Sequence, residues 1–156
     1  MDDEGETMGE VFDARVRALL DAPNMAHIAT VDRSGSPRVS PVWISADEDS
    51  LLLNTIDGRA WPKRLRRSGR IAVSIINAEN PAEYVEICGS LAEETHEGAD
   101  EHIDLLSRKY IGIDYPSRFE GEQRILIRIN PDRVSYINLM ERVPGIPDDA
   151  VPVNGS

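Results

Sequence analysis

The stretch AHIATVDRSGSPRVSPVWIS, residues 26–45, decides the fold. Its first seven residues, 26–32, are rich in β-formers, and so are its last eight, 38–45. Between them RSGSP, 33–37, has the composition of a tight turn, with Gly35 free to take a positive φ. Two strands joined by such a turn read as an antiparallel hairpin. Downstream the same grammar repeats. SLLLNT (50–55) follows the acidic turn ADED as a third strand. RIAVSIIN (70–77) is a fourth, apolar enough to be expected buried on both faces. After the loop AENPAE comes YVEICGSLAEET (84–95), a long fifth strand in which Gly89 permits a bend or bulge. QRILIRIN (123–130) sets Ile125, Ile127 and Ile129 inward against Arg124, Leu126 and Arg128. Pro131-Asp132 reads as a turn before a last strand, RVSYIN (133–138).

Helical periodicity is confined to short segments. Phe12, Val16, Leu19 and Leu20 fall on one helix face, ended by Pro23-Asn24. Ala99, Ile103, Leu106 and Tyr110 define a second helix over about 98–110, followed by the irregular connection 111–122. Six or seven short strands with two or three small helices predict a mainly β protein, a small antiparallel barrel. The acidic residues 1–8 are expected to be disordered, 9–138 to form one domain, and the proline-containing 139–156 to be an extended tail.

Composition narrows the function. The 156 residues carry a net charge of −11, which disfavours general nucleic-acid binding. No apolar run approaches the roughly 20 residues of a membrane span, and no secretory signal is visible, so a cytoplasmic location is expected. One cysteine, Cys88, excludes an intrachain disulfide and reads as a buried, inert thiol. His27 in a strand reads as structural, and His96 and His102 as surface residues. Three histidines and one cysteine without ligand spacing do not make a metal site. Glu83, Glu86, Glu93 and Glu94 read as a solvated strand face rather than as paired acid–base catalysts.

Against this acidic background stands GRAWPKRLRRSGR, residues 58–70. Six of the chain's seventeen basic residues lie here: Arg59, Lys63, Arg64, Arg66, Arg67 and Arg70. The strand end at Asn54-Thr55, the turn at Asp57-Gly58 and a short basic helix would together make an anion pocket. Arg59 and Lys63, four apart, would share a helix face. Pro62 suits only the first helical turn, so a regular helix starts near Trp61. An arginine-rich solvated face is the competing reading. Pro41 likewise has two: an edge strand shaped against aggregation, or a strand offering free backbone groups and an apolar wall to a flat ring.

In order and spacing, HIATVDRSGSPRVSPVWIS, LLLNTIDGRAWPKRLRRSGRIAVSII and NPAEYVEICGSL resemble the flavin/deazaflavin oxidoreductases, the split-β-barrel proteins related to pyridoxamine 5′-phosphate oxidase. The similarity runs over about 12–138 and is strongest to the group that uses coenzyme F420. It implies an FMN-binding type of split barrel and a homodimer with two cofactor sites at its interface. It also implies an F420H2-dependent oxidoreductase that passes a hydride to a small unsaturated or conjugated substrate. The phosphate and tail ligands it implies are Asn54, Thr55, Arg59, Lys63 and Arg64. The ring would lie along Val39, Ser40, Pro41 and Val42, and the partner subunit would add Asn80, Pro81 and Tyr84. Trp61 and Arg64 stand where relatives commonly carry lysine and asparagine; either a displaced Lys63 replaces that lysine, or the pocket has changed its cofactor. Trp61 would either stack on a ring or pack under the helix. No catalytic side chain is implied; a proton donor, if needed, would be Tyr84, Tyr136 or water. FMN is the alternative cofactor, and a non-catalytic cofactor- or ligand-binding protein the alternative function.

Overall fold

Seven antiparallel strands form one sheet in the order β2-β1-β5-β6-β7-β4-β3. The computed structural model describes residues 10–142. In chain order the elements are α1 (Ala14–Asp21), β1 (Ala26–Val31), β2 (Pro37–Val42), β3 (Ser45–Ala46), β4 (Leu51–Ile56) and α2 (Ala60–Ser68). There follow β5 (Arg70–Asn77), β6 (Asn80–Thr95), α3 (Ala99–Ile111), β7 (Arg124–Asn138) and α4 (Leu139–Arg142). The expected tail 1–8, and residues 143–156 of the expected tail 139–156, lie outside the described residues.

Closure into a barrel follows from the chain between β2 and β3. These strands are the two edges of the sheet, yet only Trp43 and Ile44 separate them. Three Cα steps span at most roughly 10 Å, so the sheet must curl until its edges lie side by side. The edges do not pair with each other, which leaves the barrel split there. RVSPVWIS is therefore not the single strand expected. Its apolar run hides a crossover, because Val42 still pairs with Ala26 while Ser45 already pairs with Leu52. Pro41 sits on the edge strand β2, where a missing N–H is tolerated.

The core fills the barrel with alternating side chains such as Ile28, Val73, Ile75, Val85, Ile87, Leu53 and Ile127. β5 alternates too: Ala72 and Ile76 face outward, so it is buried on one face and not on both. AENPAE is not a loop. Only Ala78 and Glu79 turn, and β6 begins at Asn80. Pro131-Asp132 does not reverse the chain either. β7 continues through it because Pro131 pairs with Gly89, where the register of β6 shifts. A Cβ on Gly89 would lie 2.6 Å from Ile129 Cγ2 and 2.8 Å from the Asn130 carbonyl oxygen, so only glycine allows β7 this close. The tail starts as one helical turn, α4, rather than extended.

Four helices dress the barrel among the described residues. α2 begins after Gly58 (φ 96°), keeps Pro62 in its first turn and ends at Gly69 in the left-handed conformation, whose N–H donates to Leu65 O. α3 carries Asp100 and Glu101 in its first turn and Arg108 and Lys109 in its last, matching the helix dipole. Its C-terminal end holds the crossover in place. Lys109 Nζ donates to Ile44 O (2.7 Å) and to Leu20 O, and Tyr110 Oη donates to Asn24 O (2.6 Å). Among the described residues no helix is long and apolar enough to cross a membrane.

Candidate functional site

A cleft of about 340 Å³ opens where the ends of β2 and β4 meet the start of α2 and the flank of α3. Ser40, Asn54, Thr55, Arg59 and Arg124 supply its polar lining. Trp43, Tyr115, Pro41, Val42, Ile103 and Leu106 supply most of its apolar wall. Trp43 stacks on Tyr110 (centroids 5.4 Å apart, 5° between planes) and meets Tyr115 edge-on at 6.2 Å. Two arginines line the cleft and no carboxylate does, in a chain of net charge −11.

Behind the polar lining runs a buried chain of hydrogen bonds. Arg124 pairs with Glu122 (Nε to Oε2, 2.6 Å), their side chains only 7% and 4% exposed. Arg124 Nη1 donates to Asn54 Oδ1 (3.0 Å), its diagonal neighbour across β4 and β7. That bond orients the amide, so Asn54 Nδ2 donates to Ala99 O (2.9 Å) and to His102 Nδ1 (3.1 Å). With Nδ1 accepting, the proton is on Nε2, which donates to Ser45 Oγ (2.8 Å). Burial, and secondarily the Lys109 ammonium, push His102 down to about 4, so the imidazole is neutral at neutral pH. β3, β4, β7 and α3 are thus tied at one point behind the cleft.

The structure gathers Ser40, Pro41, Val42, Asn54, Thr55 and Arg59 in this cleft, but not the other expected site residues. Val39 is 66% exposed on the outer side of β2. Arg64 turns to β1, its Nε donating to Thr30 Oγ1 (2.9 Å). Lys63 lies on a separate surface with Arg33, Arg66 and Arg67, so it does not share Arg59's surroundings. Asn80, Pro81 and Tyr84 stand at the start of β6, where Asn80 Oδ1 accepts from Ala82 N, and none lines the cleft of its own protomer. Tyr136 donates to Glu83 and is likewise outside the cleft.

The basic run divides the same way. Arg66 makes a two-point contact with Glu94 (2.8 and 2.9 Å), and Arg67 donates to Val31 O. With Arg64, these hold α2 on the barrel. Arg59, Lys63 and Arg70 have no acidic partner among the described residues. Trp61 packs in the core while one side reaches the cleft.

Several readings of single residues need correcting. His102 is buried, not on the surface; its neighbour Ile103 marked the buried helix face, but β4 was needed to supply its partners. Cys88 is exposed on the outer side of β6, not buried. Arg124, expected to face solvent, is buried because α3 and the segment after it cover that side of the sheet. Its signal in the sequence was Glu122, two residues earlier, a carboxylate near enough along the chain to pair with it. Tyr115, inside an irregular connection, gave no signal.

The comparisons agree with this architecture. Among solved structures, an F420 reductase superposes with a TM-score of 0.70 at 24% identity, covering 76% of this chain and 94% of its own. A conserved hypothetical protein from Mycobacterium tuberculosis gives 0.66 at 16% identity, covering 92% and 96%. General Stress Protein 26 from Bacillus anthracis gives 0.62 at 18% identity, covering 79% and 91%. At these identities the likeness is one of fold. No curated protein matches the chain. The family described as pyridoxamine 5′-phosphate oxidase matches residues 12–138, and the chain belongs to that family.

Proposed function

We propose that the cleft binds coenzyme F420 and that the protein is an F420H2-dependent oxidoreductase acting on a small unsaturated or conjugated molecule. The observation that carries this reading is the lining: Arg59, which has no acidic partner among the described residues, beside an apolar wall of Pro41, Val42, Trp43 and Tyr115. In an acidic protein this puts one uncompensated cation at the end of an apolar slot, which suits a ring that carries a phosphate. The uncapped N-terminus of α2 at Arg59 adds partial positive charge at the same end. The fold likeness to a protein named F420 reductase supports the choice of cofactor.

When bound, the reduced deazaflavin supplies the hydride. The chain's own residues bind, orient and exclude water. Arg59 and Thr55 meet the phosphate end, and Ser40, Pro41 and Val42 form the wall along the ring. Trp43, Leu106 and Tyr115 keep water from the ring. His102 is no general acid, since its ring nitrogens are engaged and it is neutral at neutral pH. Lys63, with Arg33, Arg66 and Arg67, forms the outer basic surface that a glutamate tail would meet.

At about 340 Å³ the cleft is at the small end of ligand sites and takes a ring rather than a whole cofactor. A second copy of the chain would enclose the rest and contribute Asn80, Pro81 and Tyr84. The outer face of the sheet suits such packing. Val39, Ala29, Ala72 and Cys88 form a row of small side chains across four paired strands, exposed except for half-buried Ala29. Sedimentation is expected to give a dimer at micromolar concentration; a monomer contradicts this part. A cytoplasmic location is part of this proposal.

One observation favours FMN as the second reading. Arg66 and Arg67 are already engaged with Glu94 and Val31 O, which leaves fewer free cations for a glutamate tail. Titration of apo-protein with F420 and FMN, read by cofactor fluorescence, tests both. Tighter F420 binding is expected, with a steeper salt dependence. Tighter FMN binding supports the second reading, and binding of neither leaves only a protein for some other ligand.

A further inference from the structure

We infer that Arg124 is a recognition residue of the cleft, donating from its free Nη2 to a carbonyl oxygen on the ring of the bound molecule. The inference rests on the cofactor reading above. Arg124 is held at three points: by Glu122 at Nε, by Asn54 at Nη1, and by Tyr115, whose ring centroid lies 4.7 Å from the guanidinium carbon. The guanidinium plane is therefore fixed before any ligand arrives. Nη2 has no hydrogen-bond partner among the described residues. It is not sealed in either, since the only buried side-chain polar atom without a partner among them is Ser107 Oγ. The side chain is 7% exposed and lines the cleft, so its remaining accessible surface opens there.

Charge decides the kind of acceptor. Glu122, 2.6 Å from Nε and 4% exposed, already neutralises Arg124, so the pair offers the Nη2 donor without net charge. Such a group matches an uncharged acceptor better than a phosphate, which uncompensated Arg59 meets instead. A conjugated ring carrying carbonyl oxygens, seated against Tyr115 and Trp43, fits this donor. Glu122 is then a positioning residue that acts through Arg124.

Riboflavin and FMN separate the two kinds of contact, because they share the ring and differ by the phosphate. Their dissociation constants, with that of F420, are to be measured on the full chain and on Arg124→Lys and Glu122→Gln. Arg124→Lys is expected to weaken riboflavin and FMN by the same factor, about tenfold or more for a charge-assisted hydrogen bond. Glu122→Gln, which keeps the shape of the support, is expected to weaken both equally and by less. Thermal melts monitor folding of each variant. A loss confined to FMN would make the contact one to phosphate and overturn the inference, as would unchanged affinity for both. Wild-type protein that binds none of the three overturns the cofactor reading and this inference together; wild-type binding with an unaffected Arg124→Lys overturns the inference alone.

Discussion

Two regions of this molecule handle positive charge in opposite ways. α2 gathers five of the six cations of the basic run on and beside one surface helix, and three of them tie that helix to the barrel. Residues 122–124 of β7 and its approach bring one arginine, bury it against a glutamate, and aim it at the cleft. Charge density along the chain therefore indicates where solvent-facing cations are, whereas burial on a folded sheet decides which one is pre-oriented. The difference is energetic: exposed pairs contribute little, and a buried partner left alone is costly.

The largest effect expected from this contrast is on stability. Glu122→Ala should destabilise the fold by about 3–5 kcal/mol in urea unfolding, because it leaves Arg124 buried and unpaired. A loss below about 1 kcal/mol would break the contrast. Acid should act on the same region. His102 sits near 4 in the fold and near 6.5 when unfolded, so between those values the unfolded chain binds the extra proton. Stability is then full above about pH 7 and falls by roughly 3 kcal/mol as pH drops from 6.5 to 4. His102→Gln should flatten that slope; an unchanged slope would assign the acid sensitivity elsewhere. Gly89→Ala, which forces a methyl group against Ile129 and Asn130, should cost about 1–3 kcal/mol. The smallest effect belongs to α2: Arg66→Ala, losing an exposed pair with Glu94, should stay within about 1 kcal/mol.

The legible parts of the fold were those set by local chemistry. The 26–45 hairpin follows from its turn residues, α1 from its apolar spacing, and the irregularity at Gly89 from a glycine inside a strand. Ser40, Pro41, Asn54, Thr55 and Arg59, each named from the sequence, line one cleft. What stayed hidden depends on partners distant in sequence. Trp43 and Ile44 continue an apolar run, and only the ring closure of the sheet shows that the chain changes edges there. Pro131 carries a turn signal, but β7 absorbs it as a bulge at Asp132, the residue left unpaired where Pro131 meets Gly89 of β6. His102 and Arg124 obey their local patterns, and it is Asn54 from β4 that joins them.

The central claim is that the cleft, not the exposed face of the basic helix, fixes the anionic cofactor. The direct test is the dissociation constant for F420 of Arg59→Ala beside that of Lys63→Ala, both folded by thermal melt. Arg59 lines the cleft and Lys63 does not. Arg59→Ala should weaken binding about tenfold or more, the loss of one charge-assisted contact, and Lys63→Ala about threefold or less. Equal losses, or a larger loss for Lys63→Ala, would contradict the account and move the cofactor onto the outer face of α2.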